Sequence, residues 1–404
     1  MSPGTSIHGN LNAVKRLLFL EKALISHNEF SIVIKKNRVV EIPSKLSTGQ
    51  HTNGKETGME NERMTRVAVD AMGGDNAPAE LVKGAIEAIN KNEKVKVFLV
   101  GREEVLQKEL SQYRYKPEQL EIVPASEVIT NDEPPVNAIR RKKDSSIVAG
   151  QKLVREGQAD AFVSAGSTGA VLVGGQLVVG RIKGVERTPL APLIPTVNGV
   201  SLLIDCGANV DARSSHLVQF AKMGSIYMEH VIGISKPRVG IVNVGAEEEK
   251  GSALVKETFP LLKECGDINF TGSIEAREIP FGGADVIVCE AFVGNVVLKL
   301  YEGVAGALVG QIKKGMMSTL RSKIGALLVK PALKETLRGM DASEYGGAPM
   351  LGLNGLVVKT HGNAKSKEVC NSILQCIMFH EQSVIEKIKE SLAGEPRDEK
   401  KEEK

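Results

Sequence analysis

The chain has 404 residues, 42% of them apolar and 4% aromatic, with no tryptophan, which suffices for one large core or two domains. A formal net charge of +3 excludes the strongly basic balance of a general polyanion binder, so no nucleic-acid partner is expected and any electrostatic partner must meet a local patch. Cys206, Cys265, Cys289, Cys370 and Cys376 are scattered, odd in number and without CxxC spacing, which points to reduced thiols in the cytoplasm and to no structural zinc; no apolar run approaches the ~18 residues of a membrane span.

Residues 1–63 differ from the rest. A short apolar patch, residues 13–25, is flanked by charges and followed by polar, turn-rich residues 44–62. It lacks a small-residue cleavage site, so it reads as an appendage outside the core and not as a signal peptide, and Met59 or Met64 is a candidate natural start.

From Val67 the pattern becomes regular. Three strand-forming residues run into Asp70, Gly73 and Gly74 break the chain, Asp75 and Asn76 offer side-chain acceptors, and Pro78 suits the first turn of a helix. Leu81, Val82, Ala85, Ile86 and Ile89 then recur at helical spacing. A strand, a glycine turn and a helix N-terminus together present backbone N–H groups to an anion, or simply connect a strand to a helix.

Further apolar runs end in glycine or acid: Val95–Gly101, Asp160–Gly166, Ser201–Gly207, Arg238–Gly245 and Asp285–Glu290. Helical patterns lie between them at Glu103–Tyr113, Ser145–Glu156, Gly169–Val179, Ser215–Glu229 and Ser252–Glu264. Alternation of this kind predicts an α/β protein with a parallel sheet buried on both faces and its connecting loops gathered along one edge. The loops expected there are Gly166–Gly169, Gly207–Arg213, Gly245–Gly251 and Ala291–Lys299. Their small residues, hydroxyls and amides suit a phosphate site, although each also suits ordinary helix capping. No Gly-x-Gly-x-x-Gly follows a strand, and there is no Gly-x-x-x-x-Gly-Lys-Ser/Thr, Gly-x-Ser-x-Gly or His-Glu-x-x-His. The residues alone therefore describe an α/β enzyme for a phosphate-like anion, without a standard nucleotide signature.

Several stretches resemble the PlsX-type phosphate acyltransferases of bacterial phospholipid synthesis. They are Val69–Pro78, Asn137–Ser146, Val163–Ala170, Gly180–Gly184, Asp205–Asp211, His216–Gln219, Val242–Glu247, Gly294–Lys299, Tyr345–Ala348 and His361–Gly362. The resemblance runs in order from about Arg66 to Ile388, with two departures: the extra N-terminal segment, and Cys206 where the family has valine. It implies a three-layer αβα fold similar to isocitrate/isopropylmalate dehydrogenases and phosphotransacetylases, with a cleft, in a homodimer. It also implies transfer of a long-chain acyl group from acyl carrier protein to inorganic phosphate, for use by a membrane glycerol-3-phosphate acyltransferase. A phosphate acetyl- or butyryltransferase acting on acyl coenzyme A is the alternative.

Such a reaction requires no metal or cofactor, because phosphate is the nucleophile and a thiolate the leaving group. The expected phosphate and substrate contacts are Asp70, Gly73, Gly74, Asn76, Gly166, Ser167, Thr168, Gly169, Lys183 and His361. Lys299 supplies charge, Asn209 and Asn295 amides, and His216 a general base, chosen on side-chain chemistry. Arg140, Arg141, Lys142 and Lys143, read as a loop, form the densest basic run and suit an acidic carrier protein. Met316, Leu320, Ile324, Leu327 and Leu328 are read as one helical face flanked by basic residues, either a dimer contact or an interfacial anchor on anionic membrane. The expected organisation is an extension at 1–63, an enzyme domain at 64–390 with a helical hairpin at 296–335, and a charged disordered tail at 391–404, cytoplasmic with peripheral membrane association.

Overall fold

The computed structural model describes residues 64–393. The expectations for residues 1–63 and for the tail from 394 lie outside the described residues.

Eleven strands are described. In chain order they are β1 (Thr65–Asp70), β2 (Val95–Gly101), β3 (Leu120–Pro124), β4 (Ala161–Ser164), β5 (Leu193–Thr196) and β6 (Gly199–Ile204). The rest are β7 (Arg238–Asn243), β8 (Asn269–Glu275), β9 (Val286–Val288), β10 (Ala348–Met350) and β11 (Leu356–Lys359). They form two sheets, ordered β10-β11-β4-β1-β2-β3 and β5-β6-β9-β7-β8. Pairing is parallel except at the edges, where β10 and β5 run antiparallel to β11 and β6. The expected single edge is thus two edges. The Gly166 loop belongs to the first sheet, and the loops after β6, β7 and β9 belong to the second. The alternating pattern is the same whether successive βα units join one sheet or two, which is why the sequence does not separate them.

The inner parallel strands β1, β2 and β6 are buried almost throughout, as crossover helices on both faces require, whereas the outer strands β3 and β8 are largely uncovered. Val67 and Val69 of β1 share one continuous core with Leu202 and Ile204 of β6. Helices Ser214–Tyr227 and Ser366–Glu381 carry that core between the sheets. Tyr227 and Phe379 meet with ring centroids 6.1 Å apart, and Gln375 Nε2 donates to the buried Tyr227 hydroxyl at 2.7 Å.

Two local readings change. The segment 291–299 is not a loop, because the Glu290 carboxylate accepts the N–H groups of Phe292 and Val293 and starts a helix, Ala291–Met316. The hairpin is therefore longer than expected, and its second helix is Leu320–Arg338, starting at an N-cap on Thr319. Met316 ends the first helix, so it does not share a helical face with Leu320, Ile324, Leu327 and Leu328. Pro331 lies inside the second helix without ending it. By length and composition Ala291–Met316 is also apolar enough to cross a membrane, which corrects the expectation from unbroken runs. At the C-terminus, a helix reaches Leu392, into the stretch read as tail.

Candidate active site

Three turns of the first sheet meet over a buried carboxylate. Asp70, the last residue of β1, is fully buried and accepts from Ser164 Oγ at 2.6 Å and from the Met72 N–H at 3.2 Å. Burial pushes its carboxyl above the usual range, against hydrogen bonds from Ser164, Ser146, Met72 and Gly73. A Cβ on Gly73 would stand 2.8 Å from Gly166 Cα, so only glycine lets the turns after β1 and β4 touch. Gly74, at φ 94°, lies against Ala165 and the Gly362 carbonyl. The Asp75 N–H donates to that carbonyl at 2.7 Å, and Asn76 Nδ2 donates to the carbonyls of Asn363 and Ala364 at 2.9 and 3.1 Å. Asn76 thus ties two loops together.

Two cations border this junction. Lys359 ends β11 and is buried, with its ammonium donating to the carbonyls of Thr360 and Ala165. Desolvation lowers its pKa to about 8, partly offset by Glu368, Asp70 and Asp75. His361 follows two residues later. Its Nδ1 lies 2.9 Å from Glu368 Oε1 and its Nε2 lies 3.0 Å from Glu302 Oε1. Carboxylates only accept, so both ring nitrogens carry hydrogen and the ring is an imidazolium. The hydrogen bonds it donates to Glu302 and Glu368 raise its pKa to about 10 despite desolvation. Ser167 is buried at the start of the helix after β4 without capping it, and Thr168 beside it is exposed.

The second sheet presents a different arrangement. Asp205, just past β6, accepts from the N–H groups of Leu190, Gly207, Ala208 and Asn209 and from Asn209 Nδ2 at 2.8 Å. Asn209 Nδ2 also donates to the Thr188 carbonyl at 3.0 Å, so this amide braces its own loop. His216 Nδ1 accepts the Arg213 N–H at 3.0 Å, which leaves the proton on Nε2, 3.1 Å from Glu186. Burial lowers its pKa, with Glu186 opposing. Both nitrogens of His216 are committed within the protein, an arrangement that positions a loop and leaves no free base.

The helix Ala291–Met316 links the two edges. Gly294 packs against the Asp205 carbonyl, Asn295 Nδ2 donates to the Cys206 carbonyl at 3.4 Å, and Tyr301 Oη donates to the Pro195 carbonyl at 2.6 Å. Glu302 reaches His361 on the first sheet. Lys299 is exposed between them, at i+4 from Asn295 and i−3 from Glu302, on one stripe of the helix.

Other expected residues stand apart. Lys183 lines a cavity of about 440 Å³ with Ile182, Gly184, Asn354, Lys389, Leu392 and Ala393. Asn354 precedes β11, so this cavity is at the opposite end of that strand from His361. Arg140 and Arg141 are exposed, but on the last turn of helix Pro135–Arg141 and not in a loop. Lys142 is turned inward, donating to the Val128 carbonyl and to Glu133, each at 2.7 Å. Lys143 is exposed.

Sequence reasoning passed over Lys359, Glu302 and Glu368. For Lys359 a signal exists: a lysine closing the apolar run Leu356–Val358 has no solvent face on a buried strand. Glu302 and Glu368 gain meaning only from their contact with His361, 59 and 7 residues away in sequence.

Residues 65–387 match the family described as "Fatty acid synthesis protein". A phosphate acyltransferase of Clostridium acetobutylicum is 48% identical over 326 residues, which is 81% of this chain and 98% of its own. A phosphate acyltransferase of Alkaliphilus oremlandii is 49% identical over 329 residues, 81% of this chain and 98% of its own. The EutD phosphotransacetylase of Staphylococcus aureus superposes with a TM-score of 0.51 at 18% identity, covering 79% of this chain and 94% of its own, a likeness of fold. The chain belongs to the fatty acid synthesis protein family and is a member of its phosphate acyltransferases.

Proposed function

We propose that the protein transfers a long-chain acyl group from acyl carrier protein to inorganic phosphate. A phosphate oxygen attacks the thioester carbonyl, and the tetrahedral intermediate expels the pantetheine thiolate, which takes the proton of HPO₄²⁻ to leave acyl phosphate and free thiol. The observation that carries this reading is the buried cation Lys359 at the junction of the turns after β1, β4 and β11, since the charge of His361 is already matched by Glu302 and Glu368. A dianion is stabilised there by fixed charge in partly dehydrated surroundings. Ser167 and Thr168 border the same junction and contribute hydroxyls. Lys299, exposed on the helix Ala291–Met316, is assigned the role of stabilising the developing carbonyl oxyanion.

The hairpin favours a long acyl chain over an acetyl group. Leu320, Leu327 and Leu328 are each at least 70% exposed, an apolar surface that a small water-soluble donor does not need. We read it as an interfacial anchor of a cytoplasmic homodimer on anionic lipid, from which the product passes to a membrane glycerol-3-phosphate acyltransferase. The first helix is fastened to the protein core at Asn295, Tyr301 and Glu302, which favours lying at the membrane surface over crossing it. Exposed Arg140, Arg141 and Lys143 offer the acidic carrier protein a docking patch.

Palmitoyl carrier protein incubated with the enzyme and radiolabelled inorganic phosphate is expected to yield labelled palmitoyl phosphate and free carrier-protein thiol. Phosphate-dependent product from acetyl coenzyme A, and none from palmitoyl carrier protein, would establish the acetyltransferase reading instead.

A further inference from the structure

We infer that Glu302 is a positioning residue, which fastens the first hairpin helix to the loop after β11 and thereby sets Lys299 over the phosphate edge. The inference rests on the phosphate-transfer reading above and extends it to a residue that touches no substrate.

The helix Ala291–Met316 is anchored on the second sheet through Gly294 against Asp205, Asn295 on Cys206 and Tyr301 on Pro195. Toward the first sheet, the hydrogen bond between Glu302 and His361 is the single one this helix makes among the described residues. His361 is itself held from behind: Glu368 accepts both its Nδ1–H and its backbone N–H, at 2.9 and 2.8 Å. Glu368 lies in helix Ser366–Glu381, whose packing on the core fixes the clasp to the body of the protein. Lys299 is one turn before Glu302 on the same stripe, so the azimuth of the helix at Glu302 sets the direction in which the ammonium projects. The long, unbranched lysine side chain has no hydrogen-bond or ion-pair partner of its own among the described residues. Its placement therefore depends on the helix that carries it.

Positioning through Lys299 is separable from mere stabilisation by a double-mutant cycle. Glu302→Ala removes the clasp and is expected to lower turnover of palmitoyl carrier protein by roughly tenfold or more, as displacements of about an ångström do. Glu302→Gln, whose amide oxygen still accepts the Nε2–H, recovers most of that loss. Lys299→Met lowers turnover by itself, and adding Glu302→Ala to it lowers turnover no further. Circular dichroism and sizing chromatography verify that each variant is folded. If Glu302→Ala does not fold, Glu302→Gln and Glu302→Asp complete the cycle, with the shorter aspartate behaving as the broken clasp. Equal fold-losses from Glu302→Ala in the wild-type and Lys299→Met backgrounds would overturn the inference, as would full turnover by Lys299→Met. Absence of acyl phosphate from the wild-type enzyme would instead overturn the reading on which it rests.

Discussion

Ser164 Oγ stands 2.6 Å from Asp70 Oδ2, closing the C-terminal ends of two neighbouring parallel strands with one hydrogen bond. Both residues are fully buried, and the same hydroxyl receives the Gly166 N–H at the root of the next turn. Removing the hydroxyl leaves a buried carboxylate with one donor fewer and a buried N–H with no acceptor. Ser164→Ala is therefore expected to cost about 1–3 kcal/mol of stability, read as a lower urea midpoint at unchanged slope. A midpoint equal to that of the wild type would show that water replaces the hydroxyl.

The clasp on His361 gives a pH signature. Its folded pKa of about 10 lies above the ordinary 6.5. A group raised in this way contributes stability that is fully present below about pH 6.5 and is lost as pH rises through about 10. The stability difference between the wild type and His361→Asn should be constant below about pH 6, fall steadily between about pH 6.5 and pH 10 with a slope of up to about 1.4 kcal/mol per pH unit, and level off above that. Urea titrations at several pH values measure it, and a difference that vanished already near pH 7 would contradict the doubly hydrogen-bonded imidazolium.

Carrier docking tests a surface. Charge reversal at Arg140 and Arg141 should weaken binding of the acyl carrier protein more at low salt than at high salt, because exposed charges are screened over about 10 Å at 0.1 M ionic strength. Lys142 should be a poor choice for the same test, since its charge is already paired with Glu133. A carrier affinity unchanged at low salt would remove this helix end from the docking surface.

The hairpin test separates lipid from protein contact. Leu320 and Ile324 are exposed on the second helix, 76% and 57%. Each apolar side chain contributes roughly 1.5–3 kcal/mol when fully buried. Glu at both positions should abolish co-sedimentation with anionic vesicles and leave soluble turnover largely intact. Loss of the dimer on a sizing column would assign the stripe to subunit contact, and vesicle binding retained by a folded dimer would withdraw it from the membrane.

Much of the fold was legible because period-two and period-3.6 patterns are local. The strand Val95–Gly101 is observed with the expected bounds, and Thr168–Gly174 begins one residue from where it was placed. The division into two sheets was not legible, because strand neighbours are set by crossover packing and not by any one segment. The helix Ala291–Met316 was cut short because Glu290 reads as a strand-end acid until its carboxylate is seen to cap the helix. At the candidate site, the glycine turns announced themselves through backbone need. Lys359 and Glu302 did not, since a lysine on a strand and a glutamate on a helix are ordinary until a partner distant in sequence meets them, Ala165 for the one and His361 for the other. His216 was the reverse case: a histidine at a helix start that suggests catalysis by type, yet has both nitrogens committed to Arg213 and Glu186.

The central claim, that phosphate is held at the first-sheet edge by Lys359, is tested most directly by the phosphate KM of the wild type and of Lys359→Met across pH 6.5–9.5. The lysine pKa is lowered to about 8, so its charge is present below that pH and is lost above it. The wild-type KM for phosphate should rise as pH passes about 8. Lys359→Met should show a raised KM at low pH and no such inflection, with the carrier-protein KM little changed; phosphate's own ionisation is common to both proteins and cancels in their ratio. An unchanged phosphate KM in Lys359→Met, with the same pH profile as the wild type, would contradict the account.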